Sequence, residues 1–332
     1  MKKKQHSTLA KSSRRFSIGT GNWGAFPHDR VTEVLNAAET WRRGFSGIER
    51  PWLCWCVNDD WCILQQRLVQ SCGWTPVVGT DGRVARPTVL KGSVFVDFNA
   101  GLRLPVMWMH FPLEFVFAFS DRLAFWHSDV LPPVGIMKLI AAEFDGIQPG
   151  EYIGVFDDPG LWMRLRRVVR GILWRQPRKL RNWNAKRWFE AIGCTTAEAS
   201  RQQFECGCGI WRYIDRHPNA SVTVRAALPH YEHGVGIRYW EVMFGGRARK
   251  LSVDIDPYHY VTKGKLRTRN STGQQEKGMA LQQSFQLKEI ARTLGLPAPF
   301  DTHANDVEES PGSPSKPLKA AGASSSSELF PS

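Results

Sequence analysis

A series of short apolar runs between residues 51 and 156, each closed by polar or turn residues, most constrains how this chain can fold. The run 51–57 (Pro-Trp-Leu-Cys-Trp-Cys-Val) suits a strand buried on both faces. Asn58 and Asp59 then open a helix over 60–72, with Ile63, Leu64, Leu68 and Val69 on one side, and Gly73 ends it. A second strand is expected at 75–78, a turn at 79–82 and a third strand at 93–97. The apolar stretch 105–119 predicts a helix after Pro112, and 122–126 predicts a strand. Pro132 and Pro133 precede a helix over 134–144, and 151–156 reads as a further strand. Strand and helix signals thus alternate, the pattern of an α/β fold around a mostly parallel, Rossmann-like sheet with helical and β additions.

The 332 residues are 42% hydrophobic, enough for a sizeable core, and no apolar run approaches the length of a membrane span. The domain organisation expected is a basic flexible tail over 1–30, an α/β domain of catalytic type over 31–300 and a disordered Ser/Pro-rich tail over 301–332. Ser13-Arg14-Arg15-Phe16-Ser17 has the twin arginines of an export signal, but the polar, Gly-rich residues after it are not the apolar stretch such a signal needs. A cytoplasmic, membrane-peripheral location is expected. Seven cysteines, an odd count, fit reduced structural thiols; Cys206-Gly207-Cys208 is too closely spaced for a usual zinc knuckle.

After residue 160 the character changes. Leu161, Leu165, Val168, Val169 and Ile172 recur at helical spacing within a basic helical segment over 161–190. Between Trp162 and Arg187 stand ten Lys/Arg and no acid, interleaved with tryptophans. Such a stretch suits a diphosphate, an anionic membrane surface or a nucleic-acid backbone, or is a solvated helix face. With no nucleic-acid-binding motif in the chain, nucleic acid is the less favoured partner. Thr195 and Glu198 form a capping-box pattern opening a helix to about Phe204. Residues 221–256 alternate like strands, and 279–294 reads as a last helix.

The most informative position is His127-Ser128-Asp129. In an open α/β sheet, ligands lie beyond the carboxyl ends of the strands. An acid placed just after a buried strand can hold a hard cation such as Mg2+ or Mn2+ against a diphosphate. Alternatively, Asp129 caps the helix that follows. Asp254-Ile255-Asp256, taken as a strand, places two carboxylates on one face and is a rival metal site.

A strand–helix–strand opening near 51–78, followed by an apolar strand running into His127-Ser128-Asp129, resembles the nucleotide-sugar-dependent glycosyltransferases of the GT-A fold, over roughly 50–245. That family ends the corresponding strand in Asp-x-Asp. Here Asp129 matches the second Asp and His127 replaces the first. The resemblance implies a GT-A architecture, a divalent metal (Mn or Mg), a nucleotide-sugar donor and an acceptor whose identity it leaves open. The metal would be held by His127 and Asp129, with a late histidine, His230 or His233, as accessory ligand. Asp59, Asp129, Arg164, Arg167 and Trp211 would bind the donor. Glu205, beside the Gly-rich loop Cys206-Gly207-Cys208-Gly209, would be the base; that loop is otherwise a glycine turn with a buried Trp211. The alternative outside enzymes is a basic protein that binds nucleic acid or an anionic membrane through 162–187.

Overall fold

The computed structural model describes residues 17–18, 21–22, 28–80, 86–102, 109–157, 160–173, 187–206, 233–260 and 284–299. Most of the basic N-terminal segment, the Ser/Pro-rich C-terminal segment and part of the basic stretch 161–190 lie outside the described residues. Within the N-terminal 30 residues, Ser17–Ile18 pairs antiparallel with Gly21–Asn22.

Seven strands form one sheet: β1 (Pro51–Trp55), β2 (Thr75–Thr80), β3 (Val94–Asp97), β4 (Arg122–Trp126), β5 (Glu151–Asp157), β6 (Arg187–Thr196) and β7 (Arg247–Lys250). Their order is β3-β2-β1-β4-β6-β5-β7. The pairs β1–β2, β2–β3, β1–β4 and β5–β7 are parallel, whereas β6 runs antiparallel to both β4 and β5. The helices are α1 (His28–Phe45), α2 (Asp59–Ser71), α3 (His110–Leu113), α4 (Val116–Phe119), α5 (Val134–Asp145), α6 (Leu161–Leu173), α7 (Ala197–Glu205), α8 (His233–Phe244) and α9 (Ser284–Leu294). This is a mixed, mostly parallel α/β sheet.

Because side chains alternate across a strand, a strand apolar at every position needs cover on both faces. Trp52, Cys54, Val78, Ala124 and Trp126 pack on one side with α2, α5 and α9. Leu53, Trp55, Val77, Leu123 and Phe125 pack on the other with α1, α3, α4, α7 and α8. Each large side chain buried this way contributes roughly 1.5–3 kcal/mol. Trp41, Trp52, Trp55, Trp61, Trp74, Trp126, Trp188 and Trp240 all lie in these cores, so packing accounts for most of the tryptophan content. A polar link ties α8 to the sheet: the Trp188 indole N–H donates to Glu241 Oε2 at 2.8 Å, and Arg238 pairs with the same carboxylate.

Several expectations shift. Of the 105–119 stretch, the described residues from 109 onward hold two single-turn helices, α3 and α4, separated at Glu114–Phe115, in place of one continuous helix. Thr196, not Thr195, caps α7: its hydroxyl accepts from Ala199 N at 3.3 Å. Within 221–256 the described part is mainly the helix α8 and the short strand β7. Asp254 and Asp256 are not on a strand. They are exposed around a turn in which Asp256 N donates to Asp254 Oδ1 at 3.1 Å, leading into a single 3-10 turn, Asp256–Tyr258.

Gly193 marks a tight point of the sheet, opposite Phe125 on one side and Gly154 on the other. A Cβ there would sit 2.7 Å from the Ile153 carbonyl oxygen and 2.9 Å from Phe125 Cζ. Gly193→Ala should therefore destabilise the fold by about 1–3 kcal/mol, measured by urea unfolding; an unchanged midpoint would show that β5 and β6 are not packed this closely. The thiols offer a second check. Burial pushes the Cys54 and Cys194 thiols far up and the Cys72 thiol up to about 11; a hydrogen bond to Cys56, with burial, raises Cys62 well above its ordinary value, whereas Cys206 is half-buried. Native-state labelling with a disulfide reagent, mapped by peptide, should modify Cys206 well before Cys54, Cys62 or Cys194, and denaturant should erase the order.

Candidate metal centre

The site begins where β4 stops. His127 N still donates to Ala191 O of β6 at 2.8 Å, and Val130 N then closes a turn onto His127 O at 3.1 Å. Gln65, fully buried on α2, clamps that turn: its Nε2 donates to His127 O at 2.8 Å and to Val130 O at 3.3 Å. Two buried hydrogen bonds from one amide hold the turn firmly.

The chain returns to this turn about 130 residues later. Leu131 N donates to Tyr258 O at 3.1 Å and Tyr260 N to Asp129 O at 3.0 Å, which makes a short antiparallel bridge between Val130 and His259. That bridge sets the His259 ring over Asp129. His259 Nε2 lies 3.1 Å from Asp129 Oδ1 and 3.3 Å from His127 Nδ1. Asp129 is 5% exposed and His259 is fully buried, while His127 is half-buried. The His110 ring stands beside His127, 5.8 Å between centroids.

One donor atom from each of His127, Asp129 and His259 lies within 4.8 Å of the other two, so the group could hold a metal ion. The geometry suits that role. An ion bound tetrahedrally at about 2.0–2.2 Å places neighbouring ligand atoms roughly 3.3–3.6 Å apart, close to the separations seen here. A single proton on His259 Nε2 cannot point at both Asp129 and His127, whereas a cation at the centre is shared by all three. Two imidazoles and one carboxylate also form a donor set typical of first-row transition metals.

The other expected site residues are distributed as follows. Asp59 is the first residue of α2, and both its carboxylate oxygens accept from Thr88: from N at 2.6 Å and from Oγ1 at 2.5 Å. It thereby ties the segment after residue 86 to the carboxyl end of β1. Arg164 and Arg167 lie half-buried on α6. Glu205 is exposed at the last position of α7. His233 opens α8, with its side chain outside the described residues, as are His230 and Trp211. His259 is the member of the candidate group that sequence reasoning missed. Its one local signal was position: a histidine between two tyrosines directly after Asp-Pro, inside a turn.

No protein-family model, no curated protein and no solved structure matches this chain.

Cobalt(II), whose visible spectrum reports coordination, should bind the wild-type chain at one site. Asp129→Asn and His259→Ala should each weaken that binding at least about tenfold while the far-UV dichroism is retained. Equal binding by both variants would remove the metal centre.

Proposed function

We propose that the chain is a metal-dependent glycosyltransferase, taking a sugar from a nucleotide-sugar donor. One observation carries this reading: His127, Asp129 and His259 converge at the carboxyl end of β4, next to β1, where the strand order of the sheet reverses. In open α/β sheets the crevice at such a reversal is the ligand site. The mixed, mostly parallel sheet, with one antiparallel strand set between β4 and β5, is compatible with this reading. The late histidine of the metal set is then His259.

On this proposal Asp129, His127 and His259 hold a divalent ion, which when bound neutralises charge on the donor diphosphate. Imidazole ligands favour Mn2+ over Mg2+, which prefers all-oxygen surroundings. Gln65 and the 258–260 bridge keep the ligands in place. The Arg164 and Arg167 guanidinium groups offer further positive charge to the phosphates. Glu205, exposed and able to take a proton from an acceptor hydroxyl, serves as general base. The finer assignments, Mn2+ as the ion and Glu205 as the base, are part of the proposal.

A thermal-shift screen tests it. Nucleoside diphosphates with Mn2+ should raise the melting temperature on the order of 5 °C at saturating concentration, for one base in preference to others, and Asp129→Asn should abolish the response. The same donor set also serves non-haem Fe(II) sites. Stabilisation by Fe2+ with no response to any nucleotide would sink the transferase reading.

A further inference from the structure

Helix α6 is built the wrong way round for a helix that only covers a core. At the helical repeat, Leu161, Trp162, Leu165, Val169, Ile172 and Leu173 project within one arc, and the opposite arc carries arginines. In a globular protein the apolar arc would be buried. Here it faces outward: Leu161 is 74% exposed, Trp162 77% and Leu173 75%, while Arg164 and Arg167, on the other arc, are the half-buried positions. Trp162 contrasts with the eight tryptophans that fill the cores.

We infer that α6 docks the protein onto an anionic lipid bilayer, lying in the interface with its apolar arc among the acyl chains. The occupant follows from two properties found together. A wide, aliphatic outer face with a tryptophan matches the boundary between headgroups and hydrocarbon. Arg166 is exposed at the margin of that arc and the helix carries no acid, so lipid phosphates are the complementary charge. A nucleic acid would engage the arginine arc and leave the leucines, valine and isoleucine in water. A second copy of the chain would cover the apolar arc but would set arginine against arginine along its margins.

Docking also has a direction. Strands β4 and β5 both run antiparallel to β6, so their carboxyl ends share one edge of the sheet. Helix α6 follows β5 from that edge, the edge on which His127, Asp129 and His259 stand. Membrane contact through α6 therefore presents the candidate metal centre to the bilayer side. The docking itself does not depend on the transferase reading.

Co-sedimentation of the full chain with two vesicle preparations provides the test: phosphatidylcholine alone, and phosphatidylcholine with one third phosphatidylglycerol. The anionic vesicles should retain the protein and the neutral ones should retain little. Leu165→Glu combined with Ile172→Glu should lower partitioning at least about tenfold. Arg166→Gln should lower it about fivefold, with a weaker dependence on salt. All three side chains are exposed, so circular dichroism and melting temperature should stay at wild-type values. Asp129→Ala should bind vesicles like wild type, which separates failure of docking from failure of the metal reading. Equal recovery with neutral and anionic vesicles, or none with either, would overturn the docking. So would a dimer in light scattering that Leu165→Glu dissociates without any vesicle binding, or retention on an oligonucleotide that the glutamate variants leave unchanged.

Discussion

Two backbone hydrogen bonds, Leu131 N to Tyr258 O and Tyr260 N to Asp129 O, carry the arrangement on which the functional reading depends. They join segments about 130 residues apart and fix the register at which one histidine meets one acid. A shift of one residue would turn His259 to the opposite face of the bridge and place a tyrosine over Asp129. The bridge needs a rigid floor, and the sheet supplies it. Beneath the turn lies β4, buried over nearly its whole length between β1 and β6; beside it, Gln65 holds the two carbonyls of the turn. His127 and Asp129 thus inherit the rigidity of a strand covered on both faces.

Much of that floor is legible in the sequence for a simple reason. Strands buried on both faces must be apolar at consecutive positions, so 51–55 and 122–126 stand out, and the residues that end them are found with them. His127 and Asp129 were visible on those grounds. His259 was not, because long-range pairing rather than local pattern puts it there. Two large elements were also unread. Helix α1 begins in a Gly-rich, basic region that looks like tail. Strand β6 begins with the sequence Arg-Trp-Phe-Glu at the end of a run of basic residues, and its partners β4 and β5 supply the burial that its own pattern does not announce. The reading of 233–244 as strand failed because its aromatic and β-branched residues favour strands, yet Ile237 and Trp240 sit three apart on one helix face against the core.

Helix α6 shows the reverse relation. Its periodicity was plain in the sequence, and so was its helical state, but periodicity says nothing about which arc faces the protein. Only the exposures decide that, and they put the apolar arc outside. The half-buried arginines follow from the same orientation: long, amphipathic side chains can lay their aliphatic stems along a protein surface while their charged ends keep polar surroundings.

On the transferase reading proposed above, a histidine at 127 in place of an acid is best understood through charge. An Asp-x-Asp pair in this buried corner would set two carboxylates within a few ångströms of each other. At 4 Å and an effective dielectric constant of 20, their repulsion is about 4 kcal/mol, which the fold would have to offset. A neutral imidazole at 127 removes that repulsion and keeps a ligand atom at the same place. It also changes the charge that an incoming phosphate meets. With one carboxylate and two neutral imidazoles, a bound divalent ion leaves the centre with one net positive charge, where a pair of carboxylates would leave none. A more positive centre attracts a diphosphate more strongly, and an ion of the borderline class is preferred over magnesium. Substituting His127 by Asp would accordingly trade transition-metal preference for magnesium tolerance, at a loss of stability that the measured unfolding free energy would register.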